Sequence, residues 1–155
     1  VHMTNTSNLP IEALETEYPL MIERYEFTEN SGGAGKYRGG LGILREYRPI
    51  GHSTTFSGQG ERFVNQPWGL FGGKSGGTGS FSTVSDNGAV SRLANKPSAL
   101  RVGPENVIRV VTAGAGGFGD PLERSVADLV EDRNSGKFTE EFLSKEYPQW
   151  KGLPD

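Results

Sequence analysis

Residues 65–79 have the sequence NQPWGLFGGKSGGTG, the most glycine-dense stretch of the chain, and this composition sets the expected fold class. The chain of 155 residues contains 23 glycines and 9 prolines, whereas hydrophobic residues make up only 34%. Glycine and proline interrupt helices and favour tight turns, so such a chain favours short strands. The charged fraction of 23% is ordinary, so the composition does not indicate disorder. We expect a mainly β, Gly-rich fold of short, mostly antiparallel strands.

Segments of apolar, aromatic and β-branched residues on both sides of this stretch predict the strands. Asp86, Asn87 and Gly88 separate two of these segments, and because Asn-Gly suits a type I′ turn, the two are expected to form a hairpin. The predicted strands are residues 20–27, 41–47, 52–57, 79–84, 88–93, 99–102 and 107–111.

Helix signals occur near the two ends of the chain. Pro10 suits the first turn of a short N-terminal helix, and Pro19 prevents that helix from continuing. Ser125 and Asp128 have the spacing of a capping box, and Thr139 caps a further helix. The predicted helices are residues 10–16, residues 125–133, which end before Gly136, and residues 139–147, which end at Pro148.

The order of these elements predicts a single domain over residues 1–155. Residues 1–19 form a loop and a short helix, residues 20–119 a β-rich core, and residues 120–150 a helical tail. A chain of this length is sufficient for one hydrophobic core.

Charge and composition argue against several classes of partner. The formal net charge is −3 and no run of lysines and arginines exceeds two residues, so the chain lacks the concentrated basic surface that nucleic acids need. No apolar stretch is long enough to cross a bilayer. Cysteine is absent, which excludes disulfides and thiolate chemistry. We therefore expect a cytoplasmic protein with neither a nucleic-acid nor a membrane partner.

Two glycine motifs resemble nucleotide-binding loops. Residues 114–119 match the pattern G-x-G-x-x-G. In a dinucleotide site a helix begins inside this motif, whereas here an Asp-Pro pair follows at 120–121. Residues 73–75, Gly-Lys-Ser, resemble the end of a phosphate-binding loop, but Trp68 occupies the position of its first glycine. We interpret both motifs as structural features of glycine-rich loops.

The histidines offer little for a metal site. The only two, His2 and His52, have no partner at ligand spacing, so no metal site is expected. His2 precedes Asn5, Asn8 and Glu12, which form a polar cluster where the first helix begins. This cluster is either a capping and loop network, or an active-site or interface loop in which a helix N-terminus meets an anion.

Several blocks of sequence in a defined order suggest a family. The first block is HMTNTSNLPIEALETEYP at residues 2–19. The later blocks are ERY at 23–25, SGGAG at 31–35, YRGGLG at 37–42, WGLFGG at 68–73, NKP at 95–97 and GGFGDP at 116–121. This ordered set resembles the hydantoinase B/oxoprolinase family over residues 1 to about 135.

The resemblance implies a C-terminal fragment of a longer α+β subunit. His2 and Met3 fall inside the family block, so the chain is expected to start within that subunit. Family members work with a hydantoinase A-like partner and use ATP to open a cyclic amide, such as N-methylhydantoin or 5-oxoproline, by phosphorylating the amide oxygen. ATP and Mg²⁺ are therefore expected on the whole complex, bound mainly by the partner subunit, with no cofactor on this fragment.

Three functional hypotheses follow. The first is the C-terminal domain of the B subunit of an ATP-dependent cyclic amide hydrolase, inactive alone, in a hetero-oligomer with a hydantoinase A-like subunit and the N-terminal part of its own subunit. The second is the same domain in an ATP-dependent ketone carboxylase of the acetone type, and the third is a non-catalytic assembly module. No catalytic residue is assigned. The candidate substrate or interface residues are His2, Asn5, Asn8, Glu12, Gly116, Gly117 and Asp120.

Overall fold

The computed structural model describes residues 8–152 of the chain. Its main elements, in chain order, are α1 (Ile11–Glu17), β1 (Leu20–Phe27), β2 (Ile43–Pro49), β3 (Thr54–Phe56), β4 (Ser80–Ser85), β5 (Val90–Arg92), β6 (Leu100–Val102), β7 (Asn106–Val111), α2 (Val126–Asn134) and α3 (Glu140–Glu146). Short 3-10 helices lie at Pro121–Glu123 and Pro148–Gly152. The predicted mainly β class, with one N-terminal and two C-terminal helices, is confirmed.

The strands form two antiparallel sheets. The larger sheet has the order β1-β2-β7-β4-β5, and β3 pairs with β6 in a separate two-stranded sheet. Because β7 lies between β2 and β4, its C-terminal end meets the first residues of both neighbours. The loops that precede β2 and β4 and follow β7 therefore meet at one end of the large sheet, and these loops are rich in glycine.

One row of side chains crosses the large sheet and contains a buried ion pair. The register places Arg24, Glu46, Arg109, Ser82 and Arg92 side by side on the five strands. The Nε atom of Arg109 lies 2.6 Å from Oε1 of Glu46, and Nη1 of Arg24 lies 3.7 Å from the same oxygen. Glu46 is 4% exposed. Its buried carboxylate needs these cations because burial penalises an unpaired charge.

Phenylalanines pack on the opposite face of β4. Phe81 follows Ser80 and precedes Ser82, so alternation along the strand turns its ring away from the charged row. The rings of Phe56 in β3 and Phe63 contact it edge-on, at centroid distances of 5.5 and 4.8 Å. Edge-on contacts of this kind are favourable. They pack the two-stranded sheet against the apolar face of the large sheet.

The C-terminal helices enclose their own cluster of buried side chains. Its members are Ala34, Leu129, Phe138, Leu143, Tyr147 and Trp150. Ala34 belongs to the loop between β1 and β2, whereas the other members come from α2, α3 and the segments beside them. The cluster therefore joins the helices to the glycine-rich end of the large sheet.

The predicted helix signals of the C-terminal region are confirmed. Ser125 Oγ accepts a hydrogen bond from the N–H of Asp128 at 3.1 Å, and Thr139 Oγ1 accepts one from the N–H of Phe142 at 3.2 Å. Gly136 follows α2 with a φ of 68°, a conformation that glycine adopts without strain. Across residues 8–152 the structure has no helix with the length and apolarity to cross a membrane.

The hairpin between β4 and β5 is confirmed, but its predicted turn type is wrong. The N–H of Gly88 donates to the carbonyl of Ser85 at 2.8 Å, and the N–H of Ser85 donates to that of Ala89 at 3.0 Å. Of the three loop residues only Gly88 has a positive φ, of 80°, whereas a type I′ turn needs two. The loop is thus three residues long and places its glycine in the left-handed position after an ordinary turn.

Three of the predicted strands, β2, β3 and β5, begin two residues later than expected, and loop contacts account for the first two. Residues 41 and 42 do not belong to β2, because the N–H of Gly42 donates to Ser31 Oγ at 2.8 Å and its carbonyl accepts from Thr28. The third strand is confined to Thr54–Phe56, and His52 precedes it with Nδ1 3.0 Å from the carbonyl oxygen of Ile50. Local loop contacts therefore replace strand pairing at both positions.

Candidate functional site

The glycine turn at residues 114–119 is bonded to two other loops through its main chain. Five of its N–H groups donate to carbonyl oxygens of residues 37–40 and 70–77. The bonds are Gly114 to Gly77 at 3.0 Å, Ala115 to Gly40 at 2.8 Å, Gly117 to Lys74 at 2.9 Å, Phe118 to Tyr37 at 2.9 Å and Gly119 to Leu70 at 2.9 Å. We call the three bonded segments, residues 31–42, 67–77 and 112–119, the glycine cage.

Two of the predicted site residues, Gly116 and Gly117, are glycines because other backbone segments pass against them. A Cβ on Gly116 would collide with the carbonyl oxygen of Trp68, and one on Gly117 with that of Ala34. Both obstacles are main-chain atoms, which cannot turn aside as a side chain can. The two glycines therefore hold the loops of the glycine cage together.

The arrangement of the cage explains why its motifs differ from nucleotide-binding loops. A phosphate-binding loop offers free N–H groups to the ligand, whereas five of the six N–H groups of the turn at 114–119 donate to carbonyls within the chain. The N–H of Lys74, in the Gly-Lys-Ser motif, donates to the carbonyl of Ala34 at 2.7 Å. Asp120 ends the turn and caps a 3-10 helix, with Oδ1 accepting from the N–H of Leu122 at 2.9 Å.

Exposed apolar side chains stand on the surface of the cage. Tyr37, Leu70, Phe71 and Phe118 are each at least 45% exposed, and we call them the aromatic patch. The ring of Phe118 lies 5.0 Å from that of Phe71 and 6.3 Å from that of Tyr37, measured between centroids. Exposed apolar residues that adjoin one another are typical of binding surfaces.

A cavity beside the aromatic patch carries charges of both signs. Its volume is about 540 Å³, and its wall includes Gly72, the residue after Phe71. Lys74 and Lys145 supply positive charge, and Asp120 and Glu146 supply negative charge. Asp120, a predicted site residue, thus lies at the edge of the surface that contains the aromatic patch.

A buried acid connects the cage to the helices. Asp132 of α2 is 2% exposed. Its Oδ1 lies 2.8 Å from Nε of Arg38, and its Oδ2 lies 2.6 Å from Nη2 of Arg124. Arg124 also donates from Nη1 to the carbonyl of Lys36 at 3.1 Å. The carboxylate therefore holds the loop at 36–38 and the segment before α2 in one arrangement.

Tyr147 supplies a second connection to the cage. Its hydroxyl accepts a hydrogen bond from the N–H of Gly35 at 3.2 Å. Burial raises the pKa of Tyr147 above its ordinary value, because the anionic form loses its water, while the Gly35 bond acts in the opposite direction. The phenol therefore remains neutral in the folded protein at physiological pH.

The polar cluster at the N-terminal end is only partly described. His2 and Asn5 lie outside the described residues. Asn8 donates from Nδ2 to the Tyr25 hydroxyl at 2.7 Å, and Glu12 is exposed in the first turn of α1. Within residues 8–152, no hydrogen bond or ion pair joins Asn8 or Glu12 to Gly116, Gly117 or Asp120. Asn8 and Glu12 therefore make no direct polar contact with the candidate residues of the glycine turn.

Sequence patterns did not reveal the interior polar contacts. Asp132 lies three residues after Leu129 on the buried side of α2, and a carboxylate at core spacing is a signal of buried charge. Its partners, Arg38 and Arg124, have no local pattern that would identify them. No group of three metal-ligating side chains is present in the described part of the chain.

The chain is similar in sequence to a known protein family and to individual proteins. A family model described as hydantoinase B/oxoprolinase matches residues 1–121. The B-type subunit of a putative D-/L-hydantoinase from Pseudomonas sp. strain NS671 is 36% identical over 146 residues, which is 92% of this chain and 24% of that protein.

Two solved structures share the fold. The ATP-dependent caprolactamase from Pseudomonas jessenii has a TM-score of 0.74 and 29% identity, over 89% of this chain and 24% of that one. A nucleotide-free acetone carboxylase has a TM-score of 0.74 and 22% identity, over 91% of this chain and 23% of that one, and shows the fold alone. The chain thus spans about a quarter of the length of these proteins and matches a domain of larger enzymes.

Proposed function

This chain belongs to the hydantoinase B/oxoprolinase family, and we propose that it is the C-terminal domain of the B subunit of an ATP-dependent cyclic amide hydrolase. The observation that carries the proposal is the match over residues 1–121, together with the fold shared with the caprolactamase. In this proposal the domain is inactive alone, and the complete enzyme is a cytoplasmic hetero-oligomer with a hydantoinase A-like subunit.

The glycine cage supports a role in shaping the enzyme and not in binding ATP. Five N–H groups of the turn at 114–119 and that of Lys74 are bonded to carbonyls of the chain, so these loops have few donors left for phosphate oxygens. We therefore assign ATP and Mg²⁺ to the partner subunit. The cage then provides a rigid surface against the remainder of the subunit and the partner.

The N-terminal polar cluster is the part that we propose to lie nearest the chemistry, if this domain contributes to a site. His2, Asn5, Asn8 and Glu12 combine hydrogen-bond donors and acceptors that suit an amide substrate. Replacing His2 and Asn5 with alanine in the full enzyme is expected to lower turnover. Unchanged ring opening and unchanged ATP hydrolysis in both variants would exclude this role.

The function is tested with the complete enzyme. The full subunit that contains this chain is produced with its hydantoinase A-like neighbour and supplied with ATP, Mg²⁺ and N-methylhydantoin, 5-oxoproline or caprolactam. We expect ADP formation that depends on one of these cyclic amides and on both subunits. Incorporation of labelled bicarbonate into a ketone, without ring opening, would instead identify a carboxylase. Assembly without any turnover would identify an assembly module.

A further inference from the structure

Arg45 is a cation on the apolar face of the large sheet. The register aligns it with Val110, which is aligned in turn with Phe81. Its Nη1 atom donates to the hydroxyl of Tyr47 at 3.2 Å, whereas its Nη2 atom is buried without a hydrogen-bond partner in the described part of the chain. No ion pair among the described residues includes Arg45. A buried donor that lacks an acceptor is unfavourable, and more so when it is charged.

Two tyrosines surround the guanidinium of Arg45, and we call the three residues the arginine cluster. The centre of the Tyr25 ring lies 4.0 Å from the guanidinium carbon, and that of the Tyr47 ring lies 5.9 Å from it. The Tyr25 hydroxyl accepts a hydrogen bond from Nδ2 of Asn8 at 2.7 Å, and the Tyr47 hydroxyl accepts one from Arg45. Neither hydroxyl donates to another group within residues 8–152. The cluster therefore has three donors, Nη2 and the two hydroxyls, for a group that accepts hydrogen bonds.

An apolar cavity of about 310 Å³ lies beside the Tyr25 ring. Its wall is formed by Tyr25, Glu26, Phe27 and Ile43. Strand alternation places Tyr25 and Phe27 on the face that carries Arg45, whereas Glu26 belongs to the opposite face, where it pairs with Arg24. The carboxylate in the wall is therefore already paired with a cation. A cavity of this size has room for a small ligand with an apolar carbon skeleton.

We propose that the arginine cluster binds the carboxylate of the acid that ring opening releases, with the carbon chain of this acid in the neighbouring cavity. The inference rests on the proposed function, because hydrolysis of every cyclic amide yields a carboxylate and an amine. A carboxylate suits the cluster because it accepts two parallel hydrogen bonds from an arginine and short ones from hydroxyls. A free acid is favoured over an acidic side chain of the protein, since the short stem of such a side chain leaves the apolar cavity unfilled.

Access to the guanidinium is through Tyr25. Its ring covers one side of the Arg45 guanidinium, and it is 40% exposed on the edge strand β1. An exposed side chain rotates within nanoseconds, so the ring turns aside without any change in the sheet. The hydroxyl of Tyr25 is bonded to Asn8, one of the residues that we propose to lie nearest the chemistry. The released acid therefore binds next to the N-terminal polar cluster.

The test is a calorimetric titration of the complete enzyme with the released acids. The full subunit and its partner are titrated, without ATP, with N-carbamoylsarcosine, glutamate or 6-aminohexanoate, which correspond to N-methylhydantoin, 5-oxoproline and caprolactam. Each acid is compared with the neutral molecule in which the released carboxylate is a primary amide. We expect one acid to bind at least about tenfold more tightly than its amide, which corresponds to about 1.4 kcal/mol, because the amide has no charge for Arg45 to pair with.

Substitutions in the cluster locate the bound acid. Arg45→Met is expected to raise the dissociation constant of the acid at least about tenfold and that of the amide less than about twofold. Arg45→Lys keeps the charge but loses the planar fork, so its effect should be intermediate. Tyr47→Phe removes one donor and should raise the constant of the acid about threefold or more, and it preserves the test if Arg45→Met does not fold. Arg92→Met is the matched control, because Arg92 is an exposed arginine on the opposite face of the sheet.

The outcomes separate this inference from the proposed function. If the enzyme opens a cyclic amide, but no acid binds more tightly than its amide or Arg45→Met leaves the preference unchanged, only this inference is wrong. If Arg45→Met leaves the affinity for the acid unchanged and lowers the melting temperature more than Arg92→Met does, the polypeptide itself supplies the counter-charge, which also overturns the inference. If no cyclic amide is opened, the proposed function fails, while an acid preference that depends on Arg45 would still support a carboxylate site.

Discussion

The hydroxyl of Tyr147 accepts a hydrogen bond from the backbone N–H of Gly35, a residue 112 positions earlier in the chain. Both groups are buried. A single side-chain atom at the end of α3 therefore completes the hydrogen bonding of the glycine-rich loop between β1 and β2.

Replacing Tyr147 with phenylalanine should leave the N–H of Gly35 buried without an acceptor. We expect the free energy of unfolding to fall by about 1–3 kcal/mol, which is typical when a buried donor loses its partner. Urea denaturation followed by tryptophan fluorescence measures the change. Tyr37→Phe is the control, because the Tyr37 side chain is exposed. An equal loss in both variants would show that the Gly35 bond contributes nothing.

The raised pKa of Tyr147 predicts a specific loss of stability in alkali. The folded protein retains the phenolic proton to a higher pH than the unfolded chain, whose tyrosine titrates near 10.0. Above about pH 10 the unfolded state therefore binds fewer protons, and the free energy of unfolding decreases as the pH rises. The stability difference between the wild type and Tyr147→Phe should therefore narrow as the pH rises above about 10. A stability difference that stays constant over this pH range would contradict a raised pKa for Tyr147.

Asp132 should be among the least replaceable residues of α2. Asp132→Asn removes the negative charge from between two arginines, one of which, Arg124, has a side chain that is only 9% exposed. Breaking a buried ion pair costs about 3–5 kcal/mol, because it leaves an uncompensated charge. Glu131→Gln, at the neighbouring and exposed position, should cost less than about 1 kcal/mol. Thermal unfolding of the two variants provides the comparison, and similar melting temperatures would contradict it.

Alanine substitutions at two glycines of the glycine cage should have very different effects on the free energy of unfolding. Gly117→Ala forces a Cβ against the carbonyl of Ala34, and we expect a loss of about 2–3 kcal/mol or more. Gly40→Ala is the matched control, since nothing lies within 4 Å of a Cβ at that position. Chemical denaturation measures both variants. If Gly117→Ala and Gly40→Ala lowered the free energy of unfolding equally, the close approach of the Ala34 carbonyl to Gly117 would be contradicted.

Local sequence patterns were sufficient where a structure depends on neighbours in the chain. Ser125 and Thr139 were recognised as helix caps because their partners lie three residues later. The turn of the β4–β5 hairpin was predicted incorrectly, because Asn-Gly is compatible with more than one loop length. Only the strand register decides between them.

Long-range contacts carry no such local signal. The sequence predicted glycine-rich loops at residues 73–75 and 114–119, but not that Gly117 donates to Lys74 or that Asp132 meets Arg38. The aromatic patch was hidden for a related reason. Its members come from three separate loops, and no local pattern around Phe71 or Phe118 indicates that both side chains are exposed.

The connectivity of the glycine cage also has a consequence for biosynthesis. Its earliest segment obtains some of its partners only when its latest segment exists, as in the bond from the N–H of Gly33 to the carbonyl of Ala115. Contacts between parts so distant along the chain slow folding. A nascent polypeptide that has not yet reached residue 114 would keep part of these loops open to chaperones and proteases, so the glycine cage should mature only after residues 112–119 have been synthesised.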